Sequence, residues 1–208
     1  MGTLCDACRG RIERGRRARR GSIARFLPPL PIRALYLWVP RADQTDILGT
    51  WLRSLKGGTP RNEFTLIAQK MLLHWWGEIT SAGARPPIII PIPSHRPHTP
   101  DHALILAREL GHSSGWQVME QCLGRSGDQE MAQQKRLSRK ARSAVHFRIE
   151  GGLPDLHRPI LLVDDVVTSG ATVLAAHRAL RSPPRTFVWS IAYRERVRLD
   201  CAAPLGLL

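Results

Sequence analysis

The chain has 208 residues, 43% of them apolar, enough to bury one sizeable α/β core with a small appendage. No apolar run is long enough to span a bilayer and the N-terminus lacks the apolar segment of a secretion signal, so a cytoplasmic protein with no membrane span is expected. Lys and Arg number 31 against 17 Asp and Glu, a formal charge of +14 that favours polyanionic partners such as nucleic acid, anionic lipid or phosphorylated small molecules.

The charge is gathered in two places. Arg9, Arg11, Arg14, Arg16, Arg17, Arg19, Arg20 and Arg25 crowd the N-terminal end, opposed by Asp6 and Glu13. A second block, Lys135, Arg136, Arg139, Lys140, Arg142 and Arg148, has no acid between Met131 and Ile149. An arginine-rich composition that only solvates the surface is the competing reading of the first run. Cys5 and Cys8 stand together while Cys122 and Cys201 are isolated, which makes no disulfide framework and fits a reducing compartment.

In chain order, residues 1–33 read as an Arg-rich segment with a lone Cys-x-x-Cys, closing in the Pro-rich linker Leu27-Pro28-Pro29-Leu30-Pro31. Residues 34–208 read as one domain. Ala34 to Val39 predicts a strand. Thr45 to Leu55 carries Ile47, Leu48, Trp51, Leu52 and Leu55 at helical spacing and stops at Gly57-Gly58. A second helix is predicted from Asn62 to Ile79, with Phe64, Ile67, Ala68, Met71, Leu72 and Trp75 on one face. Ile88-Ile89-Ile90 reads as a buried strand running into Pro91-Ile92-Pro93-Ser94-His95. Asp101 to Gly111 predicts a helix with Asp101 near its start and Gly111 at its end. Gln117 to Met119 predicts a short strand and Gly124 to Arg142 a polar loop or short helix. The last strand is predicted from Phe187 to Tyr193. Alternating strands and helices of this kind make a parallel twisted sheet flanked by helices.

The densest chemistry lies between residues 160 and 172. Ile160 to Val163 is a continuous apolar run, the pattern of a strand buried on both faces. It ends in the paired acids Asp164 and Asp165. Val166 and Val167 follow, then Thr168, Ser169, Gly170, Ala171 and Thr172 ahead of a helix from Val173 to Leu180. Backbone N–H groups at a helix start, with the helix dipole, favour an anion. Gly170 allows close approach, and the hydroxyls add donors. Carboxylates repel phosphate but accept from vicinal sugar hydroxyls or hold Mg²⁺. The two halves together suggest a sugar phosphate.

This stretch resembles the phosphoribosyl pyrophosphate (PRPP) loop of type I phosphoribosyltransferases. Three further segments are similar to the ComF family of competence proteins: Leu52-Arg53-Ser54-Leu55-Lys56-Gly57, Ile90-Pro91-Ile92-Pro93-Ser94-His95, and Gln134-Lys135-Arg136-Leu137-Ser138-Arg139 followed by Arg142, Val145 and Phe147. The resemblance covers about residues 45 to 195 and implies a type I phosphoribosyltransferase-like fold in a protein linked to DNA uptake in natural transformation. It further implies partners among single-stranded DNA, a competence helicase and DNA-processing proteins. Asp164 and Asp165 then accept from the ribose hydroxyls as the catalytic pair, with Mg²⁺ when PRPP is bound. Val167, Thr168, Ser169, Gly170, Ala171 and Thr172 hold the 5′-phosphate. Lys56, Ser94 and His95 line the pyrophosphate side, although Lys56 also suits a helix C-terminus and His95 a plain surface. Lys135, Arg136, Arg139 and Arg142 form a flexible loop that closes over pyrophosphate or a DNA backbone.

Two departures matter. Family members often carry a four-cysteine zinc module; here only Cys5 and Cys8 stand in the first 70 residues, with no His among them, so the segment reads as a degenerate finger and zinc is not expected. Thr99-Pro100-Asp101-His102-Ala103 stands where the family has Arg-Gly-Phe-Asn-Gln, removing basic and amide groups from the ligand site. The leading expectation is therefore a ComF-like protein that handles single-stranded DNA. The alternatives are an active phosphoribosyltransferase of nucleotide metabolism, taking PRPP and a base or amine acceptor, and a sensor that binds without turnover. Of the six tryptophans, Trp76 and Trp116 are the two whose positions suit base stacking and the others suit the core.

Overall fold

A computed structural model describes residues 23–27, 30–38, 46–57, 61–81, 85–94, 101–125 and 146–194. In chain order the elements are β1 (Ile23–Leu27), β2 (Leu30–Trp38), α1 (Ile47–Gly57), α2 (Arg61–Thr80), β3 (Ile88–Pro91), α3 (His102–Ser114), β4 (Gln117–Val118), β5 (Leu123–Arg125), β6 (Phe147–Ile149), β7 (Ile160–Val167), α4 (Ala171–Ala179) and β8 (Thr186–Arg194). Among the described residues six strands make the main sheet, in the order β1-β2-β8-β7-β3-β4. Five of them, β2 to β4 in that order, run parallel, and β1 adds an antiparallel edge. β5 and β6 form a separate antiparallel pair.

Alternation along the central strands explains the layers, because successive side chains of a strand leave on opposite faces. Ile89, Leu161, Val163, Trp189 and Ile191 point to one side, where α1, α2 and α3 cover them with Trp51, Leu55, Phe64, Met71, Trp75, Leu106 and Leu110. Ile88, Ile90, Ile160, Leu162 and Val188 point to the other, under Val173 and Ala176 of α4, Leu180 just after it and Leu123 of β5. Both faces are buried, which is why the sequence of these strands is apolar without alternation. Among the described residues no helix is long and apolar enough to cross a membrane.

Four expectations shift. The Pro-rich stretch does not remain a linker as far as Pro31: β2 begins at Leu30, and Leu30 and Ile32 are buried in the core. Pro31 is tolerated there because the parallel ladder to β8 starts only at Ile32, paired with Val188. Helix α3 runs past Gly111 to Ser114, and Gly115, at φ 73°, ends it by donating its N–H to the Gly111 carbonyl. Gly111 is needed for packing: a Cβ there would run into the Val118 side chain and lie 3.2 Å from the Trp116 carbonyl oxygen. The strand carrying the acids does not stop at Val163, since Asp164 pairs with Ser190 and Val167 with Tyr193. Trp116 is buried, stacked beneath the half-exposed Trp76 with ring centroids 4.7 Å apart.

Candidate functional site

Strands β3 and β7 are neighbours, but the chain leaves them in opposite directions. From β3 it passes through α3 to β4 at one edge of the sheet; from β7 it passes through α4 to β8 on the other side. Diverging connections open a crevice beyond the carboxyl ends of the two strands, the usual place for a ligand in an open α/β sheet. A cleft of about 180 Å³ lies there. Asp164 and Asp165 of β7, Pro93 and Ser94 after β3, Asp101 before α3, Arg125 of β5 and Thr172 in the first turn of α4 line it.

Local hydrogen bonds hold each wall. The Asp165 N–H donates to Asp164 Oδ1 at 2.8 Å, and the Val166 N–H donates to Asp165 Oδ1 at 2.7 Å. Asp101 caps α3 by accepting from the Leu104 N–H at 3.1 Å, while its other oxygen accepts from the Ser94 N–H at 3.2 Å. One carboxylate thus ties the segment after β3 to the start of α3. At the opposite wall Gly170 takes φ 74°, a left-handed conformation that costs a residue with a Cβ about 1–2 kcal/mol. No side chain caps α4; the Ala171 N–H is 3.4 Å from Ser169 Oγ, long for a hydrogen bond. The first intrahelical bond is Leu174 N–H to the Gly170 carbonyl, so the N–H groups of the opening turn have no helical partner.

Electrostatics are set by three groups. Burial, the Asp165 charge and a hydrogen bond with that neighbour hold Asp164 well above the usual carboxylate range, against the opposing pull of the Asp165 N–H and Arg125. Arg125 donates from Nε to the Pro93 carbonyl at 2.9 Å, and its guanidinium lies over the Phe147 ring, 5.2 Å from the centroid. Burial lowers its pKa while Asp164 and Asp101 raise it. A guanidinium keeps its proton in such surroundings, so the cleft holds a permanent cation beside its carboxylates.

Of the residues expected from sequence, Asp164, Asp165, Ser94 and Thr172 meet in this cleft. Thr168, Ser169 and Gly170 form the turn between β7 and α4, and Ala171 is the first residue of that helix. Val167 lies in the core, 1% exposed, so only its main chain is available to a ligand. Lys56 is in the last turn of α1; its side chain lies outside the described residues. His95, Lys135, Arg136, Arg139, Arg142, Cys5 and Cys8 also lie outside them. Sequence reasoning missed Arg125, which sits in a short strand where a polar loop was expected. It read Asp101 only as a helix start and gave His102 no role. Among the described residues no group of three or more His, Cys, Asp or Glu is arranged to hold a metal ion.

No family model matches the chain and no curated protein matches it.

Proposed function

We propose that the cleft binds the ribose 5-phosphate part of PRPP or a related sugar phosphate, in a phosphoribosyltransferase-like protein of the ComF type that handles single-stranded DNA. The observation that carries the ligand reading is the meeting, at one crevice, of a paired carboxylate, an uncapped helix start opened by a left-handed glycine, and a half-buried arginine. The N–H groups before and within the first turn of α4 suit the 5′-phosphate, with the Thr172 hydroxyl as a further donor. Asp164 and Asp165 suit the vicinal hydroxyls of the sugar. Those hydroxyls donate to carboxylates that repel one another, so ligand binding relieves the strain on Asp164. Arg125 suits a second phosphate on the pyrophosphate side, where its fork can take two oxygens.

The diacid also fits Mg²⁺, which commonly takes one or two carboxylates and completes its shell with ligand phosphate oxygens and water. An ion held so would come with the pyrophosphate and offset its charge. DNA handling is supported by the +14 charge and its clustering in two runs.

The second reading is an active phosphoribosyltransferase, favoured by Arg125. A cation fixed beside the diacid is suitably placed to offset charge on a departing pyrophosphate while the sugar is held still. Titration calorimetry with PRPP, with and without Mg²⁺, tests the shared core of both readings. Saturable binding that is lost in Asp164→Asn/Asp165→Asn supports it, and no heat at millimolar PRPP refutes it. Release of pyrophosphate when bases or amines are added separates the enzyme from the binding protein.

A further inference from the structure

The end of the sheet opposite the cleft carries an arginine just before each of three neighbouring parallel strands. Arg85 precedes β3, Arg158 precedes β7 and Arg185 precedes β8. Two of them hold main chain. Arg158 donates from Nε to the Pro86 carbonyl at 2.9 Å and from Nη2 to the Pro87 carbonyl at 3.3 Å, and Arg185 donates from Nη2 to the His157 carbonyl at 2.5 Å. The others face solvent. The Arg85 side chain is 69% exposed and meets Asp155 loosely, at 3.4 Å. Arg178 and Arg181 are exposed where the chain passes from α4 to β8. Within residues 85–87, 154–159 and 178–186, five arginines stand against one acid, Asp155. Arg181 takes φ 64°, at a helix end where glycine is the usual residue. Closing the helix explains the Ser182 N–H bond to the His177 carbonyl at 2.9 Å, but not an arginine at a position that glycine would fill at less cost.

Beside this patch lies an open aromatic face. Gln117, whose side-chain oxygen accepts from Arg158 Nη1 at 2.7 Å, directly follows Trp116. Trp116 backs Trp76 near the end of α2, with planes 23° from parallel, and leaves Trp76 42% exposed. Leu73, one turn earlier on the helix, is 82% exposed. Glu78, the acid closest to Trp76 in sequence, is paired with Arg33 at 2.7 Å.

We infer that this end of the molecule is a docking surface for single-stranded nucleic acid, with phosphates on Arg85, Arg178 and Arg181 and a base stacked on Trp76. The inference rests on the DNA-handling part of the reading above and is independent of what the cleft binds. Charge alone suits any polyanion. An exposed indole held flat by a second ring adds a partner for an unpaired base, which a duplex keeps inside its own stack. Pro86, Pro87, Pro183 and Pro184 stiffen the segments that carry the arginines, so little backbone freedom is lost when a strand docks.

Fluorescence anisotropy on the full chain, with a labelled mixed-sequence single strand and its duplex across a salt series, tests it. The variants are Arg85→Ala/Arg178→Ala/Arg181→Ala, which spares the two arginines that hold main chain, and Trp76→Leu, which keeps Trp116 covered. The triple variant should flatten the slope of log affinity against log salt by roughly 0.7 for each arginine, about 2 in all. Trp76→Leu should weaken single-strand binding roughly tenfold at unchanged slope and duplex binding less than about twofold. In the wild type, tryptophan fluorescence should be quenched by the single strand and not by the duplex, a result that needs no variant to fold. An unchanged slope in the triple variant overturns the inference. So does a Trp76→Leu variant that weakens both nucleic acids equally or neither, or a quench of equal depth with both. Each of these leaves single-strand binding through Lys135 to Arg142 standing. No binding of a single strand by the wild type at low salt overturns the DNA-handling reading and the inference with it, and leaves the ribose-phosphate reading of the cleft untouched.

Discussion

Replacing Asp164 with Asn should make the protein more stable and less able to bind. Asn keeps the shape of the side chain and the Oδ1 acceptor for the Asp165 N–H at 2.8 Å, so the backbone bond survives. It removes a charge that burial and the Asp165 carboxylate disfavour. The sign follows from the raised folded pKa. Below the unfolded value of about 3.9 the group is protonated whether folded or not, and its contribution to stability is fully present. As pH rises through the folded value that contribution is lost, because the folded state must give up a proton it holds more tightly. Asn titrates in neither state. Its advantage is therefore near zero at the acid end, grows with pH, and levels off above the folded pKa of Asp164.

Each unit by which a carboxyl is raised corresponds to about 1.4 kcal/mol, and 1 kcal/mol moves the melting temperature of a chain this size by about 2–4 °C. Arg125 opposes the gain, since Asn takes away one of the two carboxylates that favour its charge and leaves Asp101. A net rise of a few degrees near pH 8 is expected, with little difference near pH 4. Scanning calorimetry from pH 4 to 8 in a chelating buffer measures it. A melting temperature that falls in Asp164→Asn at high pH would show that the Arg125 attraction outweighs burial and the like charge, and would refute the reasoning. An equal rise at every pH would refute it as well.

Gly170→Val should lower stability by about 1–2 kcal/mol through the left-handed φ of 74° and abolish phosphate binding at α4; denaturant melts and phosphate titration read the two effects. Arg125→Lys keeps the charge but loses the fork and the Phe147 stack, so PRPP affinity should fall roughly tenfold while ribose 5-phosphate affinity changes less; calorimetry compares them. The exposed pair of Arg108 with Glu120, bidentate at 2.7 Å for both bonds, should contribute no more than about 1 kcal/mol, and a double-mutant cycle at low and high salt measures it. Single-stranded DNA affinity should fall steeply with salt, and Ala at Lys135, Arg136, Arg139 and Arg142 should flatten the slope by roughly 0.7 for each phosphate no longer neutralised; fluorescence anisotropy across a salt series decides it.

The acids and the Thr-Ser-Gly turn after them were legible because one segment carries them all. In a sheet covered on both faces, a strand must be apolar throughout, so the first carboxylate marks where it emerges from the core. Asp164 does line the cleft, but the same logic misplaced the end of the strand. Pairing with β8 depends on backbone groups and continues for as long as the neighbour runs alongside, here to Val167 opposite Tyr193. The helices on one face were legible for the same reason: Phe64, Ile67, Met71 and Trp75 recur at helical spacing and are all buried. Gly111 misled because a glycine inside a helix can serve close packing as well as termination.

Arg125 and His102 were beyond the reach of a local pattern, for a shared physical reason. Each matters through a partner distant in sequence. Arg125 binds the carbonyl of Pro93, 32 residues earlier, and His102 the carbonyl of Leu55, 47 residues earlier. Neither partner is a side chain, so no pairing of residue types exists for a sequence pattern to reveal. The tertiary fold alone brings them together, by setting α3 and β5 on opposite faces of a sheet whose central strands end at the same crevice. The consequence is a cleft with its acids on the sheet and its counter-charge on an element that packs from one side. Stability and recognition are then coupled there: Asp164 raises the free energy of the empty fold, and a ligand that supplies hydroxyl donors or a cation removes that cost. Binding should accordingly stabilise the wild type against heat by more than it stabilises Asp164→Asn at equal ligand concentration, because relief of that strain adds to the affinity of the wild type alone.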